Sequence, residues 1–232
     1  MRIIFIRHGE PDYKNDCLTE IGREQALLVA ERLQVEGIEE IWSSPLGRAY
    51  ETAEATSKLL GMPIHVLDCM KEVRWGSTDG ADLYHGGHPW DIVDQMAREG
   101  TDLNRTDWRN SPYFRTNCVL DCVDQVEKGI DEWLTGLGYV REGFYYRHSK
   151  EEEQHRTIAL FCHGGSSSAA IGHILNLPFP YVCALLHMEF TGITILRFDR
   201  KKGASTLPCL ELGNDGKHII AGKYHDECRL NL

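Results

Sequence analysis

Two short apolar runs constrain the fold most: Arg2 to Ile6 (RIIFI) and Thr157 to Cys162 (TIALFC). Each is too brief for a core helix and carries no polar residue at alternate positions. Both therefore read as strands buried on both faces. Such strands need helices above and below their sheet, and the chain supplies them. Thr19 to Val35 alternates apolar and charged residues at helical spacing, with Thr19 as N-cap. Pro45 opens a helix from Leu46 to about Leu60, which Gly61-Met62-Pro63 stops. Val119 to Leu137 repeats the helical pattern, and Ser166 to Leu175 does so up to Asn176-Leu177-Pro178. Glu40 to Ser43, Ile64 to Leu67 and Gly192 to Phe198 add strands, with Thr206 to Leu212 at an edge. The alternation predicts an α/β fold: three layers, α/β/α, with a mostly parallel central sheet and an inserted mixed segment.

That insertion covers about residues 77–118, where glycines and prolines interrupt either periodicity and short helices are expected. Gly138 to His155 is polar and mixed, and the charged run Lys150 to Glu153 reads as a solvated turn. A length of 232 residues suits one domain spanning 1–232. The net charge of −10 makes nucleic acid and anionic membranes poor partners. No apolar run approaches the roughly 20 residues that span a bilayer. The four apolar residues after Met1-Arg2 fall short of the roughly 7–15 of an export signal. Eight cysteines without a Cys-x-x-Cys pair fit reduced thiols in the cytoplasm. Cys118 and Cys122, at i and i+4, read as packing rather than as a metal pair. Neither His-Glu-x-x-His nor a comparable carboxylate motif occurs, so neither a metal nor another cofactor is expected.

In sheets of this type ligands bind at the carboxyl ends of the strands. Two of those ends present histidine followed by glycine: Arg7-His8-Gly9 and Cys162-His163-Gly164-Gly165. A third leads through Ser43-Ser44-Pro45 to Arg48 in the first turn of a helix. The glycines would let the backbone turn sharply and approach a ligand. Each residue alone is more often structural or solvated. Two arginines and two histidines in one pocket make an anion site, and planar guanidinium groups match phosphate.

With these residues the sequence resembles the histidine phosphatase superfamily, which includes the cofactor-dependent phosphoglycerate mutases. Arg7-His8-Gly9-Glu10 is similar to its N-terminal signature, and the run from Leu18 through Gly22 to Gln25-Ala26 to its next block. Ser44-Pro45-Leu46-Gly47-Arg48-Ala49 and Cys162-His163-Gly164-Gly165 follow in the family's order. The resemblance covers roughly residues 1–76 and 157–198. It implies His8 as nucleophile, forming a phosphohistidine, with Arg7, Arg48 and His163 binding the phosphoryl oxygens. It implies Glu72, in the Glu72-Val73-Arg74-Trp75-Gly76 run, as proton donor. Two arginines and a protonated His163 would supply positive charge without a metal, and a protonated Glu72 implies a mildly acidic optimum.

The chain departs from the family where an asparagine often follows six residues after the nucleophile. Lys14 stands there and Asn15 next, so either is open as a phosphate contact. Pro11 to Asp16 lacks the mutases' longer stretch, which favours hydrolysis of a small-molecule phosphate ester over mutase transfer. An inactive phosphate-binding module remains the alternative of another class. Gly164-Gly165-Ser166-Ser167-Ser168 only partly matches a serine-hydrolase elbow. Trp75, His85, His88, Trp90, Arg115 and Tyr145 are candidates for the substrate pocket. A homodimer stays open.

Overall fold

A computed structural model describes residues 1–150, 155–199 and 201–220. Glu151 to Glu153 of the charged run, and Cys228, lie outside the described residues. Strands β1 (Arg2–Arg7), β2 (Glu40–Ser43) and β3 (Ile64–Val66) come first. A hairpin follows, β4 (Tyr139–Glu142) with β5 (Tyr145–His148), and then β6 (Thr157–Cys162), β7 (Ile193–Arg197) and β8 (Cys209–Asp215). Six of these strands make the central sheet in the order β8-β7-β1-β6-β2-β3. β1, β6, β2 and β3 pair in parallel, and β7 runs against both β1 and β8.

Side chains on β1 divide strictly by parity. Ile3 and Phe5 join a large core with helices α4 (Val119–Leu137) and α5 (Gly164–Leu175). Ile4 and Ile6 join a smaller core with helices α1 (Glu20–Leu33) and α2 (Gly47–Leu60). That division is the period of two of a strand buried on both faces. All six residues of β6 are buried. Each large apolar side chain so placed stabilises by about 1.5–3 kcal/mol. The strand ends that carry the histidines are therefore anchored just behind the site.

Two readings need correction. The polar stretch after Gly138 contains the β4–β5 hairpin, turned at Gly143 (φ +64°). Tyr139, Tyr146 and His148 face inward between outward charged residues, an alternation that polarity alone hides. The segment 77–118 holds short helices, as expected; the ten-residue α3 (Pro89–Arg98) sends Ile92, Val93 and Met96 into the same core as Phe5. And α5 begins at Gly164, two residues earlier than expected. A further helix, α6 (Phe179–Leu185), packs against α3 and α5. Among the described residues no single helix is long and apolar enough to cross a membrane. α5 and α6 reach that length only together, across a 114° bend.

The loop after β1 is pressed against the first turn of α1. A Cβ added to Gly22 would lie 2.2 Å from the Glu10 carbonyl oxygen. Alanine for glycine within a helix ordinarily stabilises by about 0.5–1 kcal/mol. Gly22→Ala is expected to do the reverse, costing roughly 1–3 kcal/mol through overpacking. A lowered denaturation midpoint is the predicted result. An unchanged or raised midpoint contradicts this close approach.

Candidate active site

The parallel register assembles the site. Arg7 pairs with Cys162, and the His8 N–H donates to the Cys162 carbonyl at 2.9 Å. His8 and His163 thus leave adjacent strands side by side, with ring centroids 5.1 Å apart. Ser43 pairs with Phe161, so β2 delivers Ser44 and then Arg48 to the same edge.

His8 is 1 % exposed. Its Nδ1 lies 2.7 Å from the Gly9 carbonyl oxygen, which accepts only. Nδ1 therefore carries the proton, and Nε2 keeps its lone pair. Arg48 Nε donates to that Nε2 at 3.4 Å, consistent with this tautomer. Burial, and then the Arg7 charge, hold His8 well below the usual histidine range.

The two arginines are held from behind. Arg7 Nη1 donates to the Met188 carbonyl at 2.6 Å, and its guanidinium stands 4.3 Å from the Phe190 ring centroid. Arg7 Nε is buried without a hydrogen-bond partner. Arg48 Nη1 meets Asp16 Oδ1 at 2.5 Å, and Asp16 Oδ2 accepts the Gly47 N–H. Asp16 does so from a left-handed conformation (φ +49°), which aspartate tolerates better than most residues. The Tyr13 ring covers Arg48 at 5.4 Å.

His163 is fully buried, with Nε2 2.8 Å from Ser44 Oγ. Ser44 Oγ also accepts the Leu46 N–H, so its own proton is free to go to His163 Nε2. That arrangement leaves Nδ1–H as the donor, and Nδ1 is buried without a partner. Burial, then His8, Arg48 and Arg7, push His163 well below the usual range. That shift works against the expected protonated His163 while no phosphate is bound. The imidazole is neutral in the unliganded site and offers an N–H, not a full charge.

Glu72 reaches the site from the segment after β3. Its Oε1 accepts the N–H groups of Val73 (2.9 Å), Gly165 (3.0 Å) and Ser166 (3.1 Å). The last two open α5, at the positive end of its dipole. Burial outweighs these contacts and raises the carboxyl above the ordinary glutamate range. With Oε1 occupied, Oε2 is the oxygen left for proton exchange. Gly165 explains its place here by proximity, not by a turn. An added Cβ would lie 2.7 Å from Glu72 Oε1 and 2.2 Å from Val73 Cγ2. Neither Gly9 nor the glycines of α5 have positive φ, so the sharp turn expected of them is absent.

A cavity of about 930 Å³ opens onto Arg48 and Glu72, with Tyr13 and Trp75 on its wall. Trp90 lies over Gly164. His88 bridges the two tryptophan rings, at 4.9 Å from Trp75 and 5.4 Å from Trp90. His85 instead pairs with Asp91, Arg115 is exposed, and Tyr145 lies on the hairpin. Asn15 spends its amide on Asp12 Oδ2 at 2.6 Å, within a turn. The Ser166–Ser168 run is buried in α5, with Ser167 on Cys162 and Ser168 on the Gly164 carbonyl. It does not form a nucleophile elbow. Asp16, Tyr13, Ser44 and Phe190 are the neighbours that pattern reading missed. Charge in the turn before Cys17 was the only signal for Asp16, and it looks like any solvated carboxylate.

The sequence model of the histidine phosphatase superfamily (branch 1) matches residues 3–208. A glucosyl-3-phosphoglycerate phosphatase from Mycolicibacterium vanbaalenii is 32% identical over 187 residues, 76% of this chain and 75% of that protein. A putative phosphoserine phosphatase 2 from Hydrogenobacter thermophilus is 23% identical over 210 residues, 87% and 91% respectively. In fold, the chain resembles Entamoeba histolytica phosphoserine phosphatase in complex with 3-phosphoglyceric acid. The TM-score is 0.61 at 22% identity, covering 94% of this chain and 98% of that one. Mixed α/β architecture, strand-end histidines and sequence match agree, and the chain belongs to the histidine phosphatase superfamily.

Proposed function

We propose that this protein hydrolyses phosphate monoesters of small alcohols through a phosphohistidine on His8. One observation carries the reading. Two buried donors without partners, Arg7 Nε and His163 Nδ1, lie with Arg48 around a histidine whose Nε2 is unprotonated and held only by the long contact from Arg48. A phosphoryl group satisfies those donors and meets the nucleophile at once. Phosphatases acting on phosphoserine and glucosyl-3-phosphoglycerate among the relatives support the same reaction class.

In the first step His8 Nε2 bonds to phosphorus as the ester P–O bond breaks. Glu72 Oε2 gives its proton to the departing alkoxide, and the alcohol leaves. In the second step the Glu72 carboxylate takes a proton from water as that water attacks phosphorus. The N–P bond breaks, inorganic phosphate leaves, and neutral His8 and protonated Glu72 are restored. Arg7, Arg48 and the His163 N–H stabilise the equatorial oxygens throughout, and positioning supplies most of the remaining advantage. We read the chain as one domain with an insertion at about residues 77–118, acting in the cytoplasm.

A panel of phosphomonoesters tests the assignment. His8→Ala should reduce turnover at least about 10³-fold on every substrate. Equal activity in wild type and His8→Ala contradicts it. Glu72→Gln should slow the phosphorylation of His8 by alkyl esters about 10²–10⁴-fold and by aryl esters far less, since a phenolate leaves unaided.

The pH profile follows from the shifts. His8 and His163 stay neutral well below 6.5, so the acid limb is displaced downward. Glu72 stays protonated above 4.5, and kcat/KM declines as pH rises through its raised value. A rate climbing steadily from about pH 6 to about pH 9 contradicts Glu72 as the acid.

Asp16 is a positioning residue for Arg48. Asp16→Ala should lower kcat/KM by roughly 10–10²-fold with the pH profile unmoved, and Asp16→Asn should recover part of it. No change on Asp16→Ala excludes that role.

A further inference from the structure

The loop between α6 and β7, residues 187–192, carries neither helix nor strand, yet it supports both Arg7 and His8 from behind. The Met188 carbonyl accepts Arg7 Nη1 at 2.6 Å, and the Gly192 carbonyl accepts the Arg7 N–H at 3.3 Å. Phe190 lies against the Arg7 guanidinium and, at 5.8 Å between ring centroids, against His8. The Thr191 N–H donates to the His8 carbonyl at 3.3 Å. A β-branched residue at φ +55° persists only where its surroundings enforce it.

Those surroundings come from β8 and the turn of helix after it. Leu212 pairs with Ile195 and Asp215 with Ile193, so β8 carries one residue more than β7 there. Such a bulge re-aims a side chain. Here it is Asn214, in a left-handed conformation (φ +44°) that asparagine tolerates. Its Oδ1 accepts the Glu189 N–H at 2.9 Å, and its Nδ2 donates to the His187 carbonyl at 2.6 Å. A Cβ added to Gly192 would lie 2.3 Å from that Oδ1, so the fit is close. The short helix α7 (Lys217–Ile220) packs against α1 and buries Ile219. From it His218 Nε2 meets Thr191 Oγ1 at 3.0 Å, while Nδ1 is buried without a hydrogen-bond partner. Both residues lie beyond residue 208, where the family match ends.

Resting on the phosphatase reading, we infer that Asn214 and His218 are positioning residues for phosphoryl transfer. They clamp the 187–192 loop in the strained shape that aims Arg7 Nε at the phosphoryl oxygens and holds the His8 backbone. Arg7 Nη1 is spent on Met188, so the direction of the other guanidinium N–H groups follows that carbonyl. A released loop swings the guanidinium with it, and a misplacement of about 1 Å costs about 10²-fold in rate. Neither Asn214 nor His218 lines the catalytic cavity, so they act on every ester alike.

Turnover of an aryl phosphate and its inhibition by vanadate, a five-coordinate mimic of the phosphoryl group in transfer, test this together. Asn214→Gly keeps the left-handed backbone and removes the amide. It should lower kcat/KM about 10–10²-fold and raise the vanadate inhibition constant about tenfold. His218→Ala should act in the same direction by about threefold or more, and His218→Gln, whose amide can reach Thr191, should recover part of the loss. In an Arg7→Ala background Asn214→Gly should cost less than about threefold, because no guanidinium is left to aim. A merely destabilised fold leaves the vanadate constant unchanged and the loss undiminished in the Arg7→Ala background, and that result overturns the clamp. If Asn214→Gly does not fold, the two His218 variants carry the test through the same vanadate constant. Wild-type behaviour of both Asn214→Gly and His218→Ala, with turnover that still requires His8, overturns the clamp and leaves the phosphatase reading standing. A wild type that turns over no phosphomonoester overturns both.

Discussion

The site depends on one backbone relationship, the parallel pairing of β1 with β6. Because Arg7 lies opposite Cys162, the residues that follow are forced to be neighbours, and these are His8 and His163. A slip of one residue in that register would turn Ile4 and Ile6 away from one core and Ile3 and Phe5 away from the other. The hydrophobic cores on the two faces therefore specify the catalytic geometry, although few of their residues, Val73 and Val126 among them, reach the pocket wall.

Around this pairing the motif residues split into two tasks. Some face the pocket, as Arg7, His8, Arg48 and His163 do. Others lock the supporting loops to each other. Thr52 Oγ1 accepts the Gly9 N–H and donates to the Arg48 carbonyl, which joins the nucleophile's loop to the helix bearing the second arginine. Gln25 accepts the Glu10 N–H, and Thr19 donates to Glu10 Oε1 while capping α1 through Gly22. Glu51 accepts the Leu18 N–H and pairs with Arg23. Even Thr191, held at φ +55° where a β-branched residue is strained, donates its N–H to the His8 carbonyl. Buried arginines and neutral imidazoles are costly to gather in one place, and this web is what over-determines their positions.

That division explains what could be read from the chain alone. Strands buried on both faces betray themselves by continuous apolar runs, so β1, β6 and the helices between them were legible. The motif blocks reveal residue types at strand ends, and those ends converge once the sheet is parallel. The hairpin was illegible because its inward residues are tyrosines and a histidine among charges. The ionisation of His163 was illegible too, because it is set by burial and by Arg48 and Arg7 from other elements. Asp16 and Ser44 act by orienting another side chain, and no spacing rule in one sequence marks a residue of that kind.

The most direct test of the account looks for the covalent intermediate itself. An aryl phosphate mixed with the Glu72→Gln protein should form it readily and lose it slowly, because the leaving group needs no proton and the attacking water lacks a base. Rapid quenching at alkaline pH followed by tandem mass spectrometry should place one phosphoryl group on the peptide containing Arg7-His8-Gly9, at His8. Phosphoryl transfer to any other side chain, or release of phosphate by a competent enzyme with no covalent species formed, contradicts it.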